Sequence, residues 1–240
     1  MAANFWTSSH SKLLIDQDEV DMVPSMDKEK GLTLEDFKLI KIHMTNYIWK
    51  LAQLIKVRQR VIATAVTYFR RVYTRKSMSE YDPRLLAPTC LYLASKAEES
   101  TVQARLIVFY IKKHSTDEKY RFEVKDILEM EMKLLEALDY YLIVYHPYRS
   151  LIIAGCGMAD LTHLSWGIVN DTYRMDLILI YAPFKIALAC IYIATVLKEK
   201  DSTFMIKNIS MEILEFYDVY KQVIPDDRII AALNRLTSKA

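Results

Sequence analysis

Pro83-Arg84-Leu85-Leu86-Ala87-Pro88-Thr89-Cys90-Leu91-Tyr92-Leu93-Ala94-Ser95-Lys96-Ala97-Glu98-Glu99 is the stretch on which the fold turns. Pro83 suits the first turn of a helix, where its missing N–H is not needed. Behind it Leu86, Cys90, Leu93 and Ala97 recur at helical spacing and share one face. Ala87, Ala94 and Ala97 interrupt bulky neighbours, as do Ala63 and Ala65 upstream. Small residues at such positions let helix axes approach toward the short end of the usual ~8 to 10 Å. A helix with little room around it is central, so Pro83 to Glu99 is expected to be the hub of a helical unit.

That hub returns at an offset of 100. Tyr81, Pro83, Ala87, Cys90, Tyr92 and Ala94 recur as Tyr181, Pro183, Ala187, Cys190, Tyr192 and Ala194, and Tyr73 recurs as Tyr173. Identity at this many positions in one register points to two copies of one helical unit.

Around the first hub, Phe37, Ile40, Met44, Ile48 and Leu51 describe one face of a helix starting at Leu34, with Thr33 and Asp36 as an approximate capping box. A second helix is expected from about Arg58 to Tyr73, with Val61, Ala65, Tyr68 and Val72 on its stripe. Others follow from Val102 to Lys112 and from Val124 to Leu138, the latter with Ile127, Leu134 and Leu138 on one face. Lys125-Asp126-Ile127 recurs as Lys207-Asn208-Ile209 at an offset of only 82, which leaves the second unit about 18 residues shorter before its last helix. Either a helix there shrinks to a stub around Lys198 to Phe204, or the sequence closes up a missing stretch.

Proline holds His146 extended and stops a helix at Tyr145-His146-Pro147-Tyr148, the expected boundary between the units. The organisation read from the sequence is therefore an N-terminal extension (1–32), a first unit (33–144), a shortened second unit (145–224) and a C-terminal segment (225–240) with a modest apolar face at Ile229, Leu233 and Leu236. In the extension, Phe5 and Trp6 are adjacent large aromatics that need something to pack against.

Composition agrees with an all-α protein. Of 240 residues 52% are hydrophobic, with only 4 Gly and 6 Pro, which argues against disorder and turn-rich β folds. Lys and Arg (32) nearly balance Asp and Glu (30), so no strong global field draws the chain to nucleic acid or an acidic membrane. The longest apolar helical stretch, Ile186 to Leu197, is far short of the ~20 residues a membrane span needs. Cys90, Cys156 and Cys190 are odd in number with no two at metal-ligand spacing, which suits a reducing compartment and predicts neither a metal nor another cofactor.

Enzymatic constellations are scarce: no glycine-rich nucleotide loop, no G-x-S-x-G and no H-E-x-x-H. His10, His43, His114, His146 and His163 are scattered, and local hydrogen bonding or exposure is the expectation for them. Glu98-Glu99 read as solvent-facing charges. Arg58, Arg60, Arg70, Arg71, Arg75 and Lys76 form a basic stretch that reads as a solvated helix face rather than a phosphate-binding strip. Lys96 and Glu131 are different. Glu131, four positions after Ile127 and three before Leu134, points into an apolar stripe, and Lys96 closes the hub. A charge on such a face must be paired, emerge at an edge, or serve an interface.

Three stretches carry a family resemblance: Lys56 to Arg71, the hub segment Ala87 to Glu99, and Asp126 to Leu138. They resemble the second, third and fifth helices of a cyclin box. Asn4-Phe5-Trp6-x-Ser8-Ser9-His10, Tyr145-His146-Pro147-Tyr148-Arg149 and Val169-Asn170-Asp171-Thr172-Tyr173-Arg174 are most similar to the C-type cyclins. The resemblance implies two tandem five-helix cyclin boxes with flanking terminal helices, no active site of its own, and activation of a cyclin-dependent kinase of the Mediator complex in the nucleus. It places Lys96, Glu131, Glu99, Leu93 and Leu128 at the contact with the kinase C-helix. Phe5, Trp6, Tyr47 and Arg58 are further candidates for a partner surface, including other subunits of the Mediator kinase module. No membrane and no sequence-specific nucleic acid is implied. A cyclin-fold transcription scaffold that binds DNA and polymerase without a kinase is the alternative. At the substrate-docking positions of cell-cycle cyclins this chain has Ile40, Lys41, Met44 and Tyr47, so that groove is not expected to recruit substrates.

Overall fold

A computed structural model describes residues 4–114, 122–154, 159–198, 207–220 and 226–237. After a single 3-10 turn at Phe5–Thr7, the helices in chain order are α1 Ser9–Lys12, α2 Gln17–Val20, α3 Ser25–Glu29, α4 Leu34–Ile55, α5 Gln59–Val72, α6 Pro83–Ala97, α7 Ala104–His114 and α8 Val124–Ala137. They continue as α9 Pro147–Ala154, α10 Ala159–Thr172, α11 Leu177–Ile180, α12 Pro183–Leu197, α13 Lys207–Tyr220 and α14 Asp226–Thr237. The chain divides into two compact units, one of Gln17–Val144 with Pro225–Ala240 and one of Met1–Asp16 with Tyr145–Ile224. The stub expected around Lys198 to Phe204 falls almost wholly outside the described residues.

In the first of these units α6 is the hub, packed against α4, α5, α7 and α8, with α5 its most extensive neighbour. The alanines explain the close approach: Ala63, Ala65, Ala87, Ala94 and Cys90 are wholly buried, and only Ala97 of the expected face emerges, in the last turn. Asp82 caps α6 by accepting from the Arg84 N–H at 2.9 Å, and Pro83 occupies the first turn. On α4 the predicted capping box is present, with Thr33 and Asp36 satisfying each other's backbone N–H groups.

Asp36 does more than cap. Arg228 on α14 donates to its Oδ1 at 3.0 Å, and Arg235 to Oδ2 at 3.4 Å, which ties α14 to α4. Burial pushes the Asp36 carboxyl up, but hydrogen bonds from Arg228 and Thr33 outweigh it and hold the group below its ordinary range. A second carboxylate, Asp27, is fully buried and accepts from the Met78 N–H (2.8 Å), the Ser79 N–H (2.9 Å) and the Ser79 hydroxyl (2.7 Å). It fastens α3 to the loop before α6. No local pattern announces this lock, because its partners lie more than fifty positions away.

In the other unit α12 takes the central place, packed against α9, α10 and α13. Tyr148 hydroxyl donates to Asn170 Oδ1 at 2.9 Å, and its ring stacks on Trp166 with centroids 4.6 Å apart. His146 Nδ1 lies 2.7 Å from the Tyr173 hydroxyl. The two motifs Tyr145 to Arg149 and Val169 to Arg174 are thus partners of each other. The start of the chain belongs here too: buried His10 accepts the Tyr145 N–H on Nδ1 at 3.0 Å, and its Nε2 lies 3.4 Å from the Ile178 carbonyl oxygen. Phe5 meets the His10 and Tyr145 rings edge-on, and Trp6 meets Phe184. Residues up to Asp16 group with the unit that holds α12, and those from Gln17 with the unit that holds α6.

Two outcomes check these locks. Asp27→Ala leaves three donors without their acceptor and should cost about 2 kcal/mol in urea unfolding, while Met22→Ala, at an exposed position, should be silent. Because the folded Asp36 titrates below its unfolded value, its contribution is intact above the ordinary carboxylate range and is lost as pH falls through the folded value. Acid unfolding below about pH 4 should therefore be less steep in Arg228→Ala than in the parent.

Candidate functional site

Cys90 and Cys190 are buried, and burial pushes both thiols up, so neither is a nucleophile at neutral pH. Among the described residues no group of three His, Cys, Asp or Glu side chains could hold a metal ion. No described helix is long and apolar enough to cross a membrane.

The basic stretch is a solvated face only in part, exposed at Arg58, Arg60 and Arg75. Arg70 and Arg71 are buried, and Arg70 Nη2 reaches the Thr45 hydroxyl at 3.3 Å. Arg75 pairs with Asp139, and Arg60 with Glu98 at 2.5 Å. Glu98 in turn accepts from the Thr64 hydroxyl at 2.7 Å, so it is a fastener between α5 and the end of α6 rather than a free surface charge. Helical periodicity places a charge on a face but does not say which neighbour covers that face.

Lys96 and Glu131 come together. Lys96 stands in the last turn of α6 and Glu131 in the middle of α8, and their side chains form an ion pair. The two partners differ in exposure: the Glu131 side chain is 8% exposed and that of Lys96 is 38%. Lys96 Nζ also lies over the Tyr92 ring, 4.5 Å from its centroid. An ion pair half open to water contributes little net stability, which leaves its orientation and its open edge as the properties to explain.

Exposed apolar side chains stand on α8 itself and on the helix packed against it. Leu128 is 42% exposed and Met132 57%, one position beyond Glu131 and one turn apart on α8; on α7, which packs against α8, Leu106 and Phe109 are also exposed. Met132, Leu106 and Phe109 were not singled out from the sequence, although their spacing off the buried stripe was legible. Glu99 follows α6 with φ +53° and its N–H bonds the Lys96 carbonyl, a left-handed helix stop normally given to glycine. Its side chain is exposed, three positions after Lys96. Leu93, which the resemblance also places at the kinase contact, is buried in this structure.

The remaining candidates are not part of this cluster. Phe5 is half-buried and Trp6 61% exposed, in the unit built on α12. Arg58 is exposed at the N-cap of α5; Tyr47 is half-buried on α4, and burial pushes its hydroxyl up to about 12. Ile40, Lys41 and Met44 are buried, so three of the four docking-groove positions face inward.

An all-helical unit with a central alanine-lined helix, a partly open ion pair and exposed apolar side chains on the same and the adjoining helix has the make-up of a protein-binding module. The profile of the cyclin N-terminal domain matches residues 14–143. Cyclin-C1-1 of Oryza sativa subsp. japonica is 68% identical over 257 aligned positions, covering 100% of each chain, and Cyclin-C1-2 of Arabidopsis thaliana is 60% identical over 99% of each. A chain in the yeast RNA Pol II CTD kinase CTDK-1 complex shares the fold with a TM-score of 0.72 at 15% identity, over 95% of this chain and 84% of that one. This chain belongs to the cyclin family, and its full-length likeness is to C-type cyclins.

A double-mutant cycle with Lys96→Met and Glu131→Gln should return a coupling of about 1 kcal/mol in thermal or urea unfolding. A coupling near zero would mean that the two side chains do not hold each other in solution.

Proposed function

We propose that this chain is a non-catalytic subunit that binds and activates a cyclin-dependent kinase of the Mediator complex, and so regulates RNA polymerase II transcription in the nucleus. The observation that carries the reading is the partly open Lys96–Glu131 pair together with the exposed apolar side chains Leu128 and Met132 on the same helix as Glu131 and Leu106 and Phe109 on the helix packed against it. Apolar side chains around a charged centre suit an amphipathic helix, which buries its apolar face and offers carbonyls or carboxylates to the lysine. Glu131 holds the Lys96 ammonium in place before the partner arrives, which lowers the ordering cost of binding. A kinase C-helix docked here is held inward, and its glutamate then pairs with the lysine that orients ATP. Catalysis belongs to the partner.

In this reading α4 to α8 form the first five-helix box, and α9 to α13 the second, shortened one. The 257 positions of the rice alignment against 240 residues here support a chain with segments missing relative to that cyclin. Phe5 and Trp6, seated on the second box, are candidates for contact with other subunits of the kinase module. The scaffold alternative needs an open basic face, and burial of Arg70 and Arg71 removes its centre.

Co-purification with the kinase tests the proposal. Glu131→Lys puts two like charges together and should reduce recovery of the kinase by at least tenfold, with phosphate transfer falling in parallel. Because Glu131 is buried, Leu128→Asp at an exposed position is the companion variant; wild-type recovery with both folded variants would sink the assigned contact.

A further inference from the structure

Arg71 is the one described arginine whose guanidinium is buried with none of its three nitrogens in a hydrogen bond. It is 6% exposed, while its neighbour Arg70 is equally buried but reaches Thr45. A buried cation without a partner is among the least favourable arrangements in a folded chain, and the C-terminal end of α5 offsets only part of that cost.

Its surroundings show how the site is closed. Tyr68, Arg71 and Arg75 follow at positions i, i+3 and i+7 on one face of α5 and the turn after it. The two outer members each fasten the same segment: the Tyr68 hydroxyl donates to the Leu142 carbonyl at 2.6 Å, and Arg75 pairs with Asp139. Arg71 stands between these pins. The segment they hold is thin, with Tyr140, Tyr141 and Ile143 exposed, and Asp139 and Tyr140 both have positive φ (+50° and +60°), which strains a non-glycine backbone. The Arg75–Asp139 pair is itself about half exposed on both sides, so the face is open to water at Arg75 and closed at Arg71.

We propose that this face binds a phosphate group, with Arg71 and Arg75 as its cationic ligands and Asp139 as the internal anion that the phosphate displaces. Of these two guanidiniums one turn apart only Arg75 has a carboxylate partner, so the charge of Arg71 is left over; a phosphate dianion matches both, and its tetrahedral oxygens accept the paired N–H groups of each fork. Breaking the exposed Arg75–Asp139 pair costs little and frees the strained segment to move aside. Burial and the charge of Arg75 together lower the Arg71 pKa to about 10, so it remains a cation at neutral pH and an arriving anion relieves both effects.

The test uses the full chain alone and so does not depend on the kinase assignment. Thermal unfolding is followed at pH 7.5 and matched ionic strength in chloride, in inorganic phosphate, and with N-acetyl-phosphothreonine amide against its unphosphorylated form. Phosphate should raise Tm saturably, by roughly 3 °C at ten times half-saturation. Arg71→Met should melt at or above the parent in chloride and lose the saturable response, and Asp139→Asn should lower the half-saturating concentration about threefold. If Arg71→Met does not fold, Arg75→Met supplies the same comparison at an exposed position. A response to both ligands assigns a phosphorylated side chain as the source, and a response to inorganic phosphate alone assigns the free anion. No response in the parent, or an equal response in the arginine variants, overturns the site.

Discussion

The close packing of α6 on α5 is the constraint from which the first unit follows. Ala63 and Ala65 on α5 and Ala87, Cys90 and Ala94 on α6 are all wholly buried in the two helices that pack most extensively on each other, and small side chains there let the axes come close. With α6 surrounded by α4, α5, α7 and α8, only its C-terminal turn reaches the surface. That is where Lys96 stands. The Lys96–Glu131 pair is thus placed by apolar packing elsewhere on α6, and a larger side chain at Ala87 or Ala94 would shift it without touching it.

Charge placement has a second consequence. Glu131 is nearly buried and Lys96 is half open, so the pair keeps one end fixed and the other available. In high dielectric such a pair adds little to stability, but it removes rotamer freedom from a long lysine before a partner is met. The neighbouring polar contacts do similar positioning work: Glu98 ties Arg60 and Thr64 to the exit of α6, and the left-handed Glu99 turns the chain away immediately afterwards. The end of α6 is therefore held by contacts on both sides of Lys96.

The termini add anchors of another kind. Asp36 receives two arginines from α14, and His10 uses both ring nitrogens to seat the start of the chain beside Tyr145 and Ile178. These contacts join residues well over a hundred positions apart. They are made by single polar side chains rather than by periodic faces, so hydrophobic periodicity does not register them.

The sequence by itself determined the helices, their stripes and the repeated hub, because helix formation and amphipathicity are local properties expressed every three to four residues. It also marked Lys96 and Glu131, since a charge on an apolar stripe is visible without any structure. Only the tertiary structure decided the fate of each charge: that Leu93 lies inside while Leu128 and Met132 lie outside, that Glu98 is fastened, and that Arg70 finds a partner where Arg71 does not. Burial and pairing depend on which distant element covers a face, and that information is spread over the whole chain rather than written in any one segment of it.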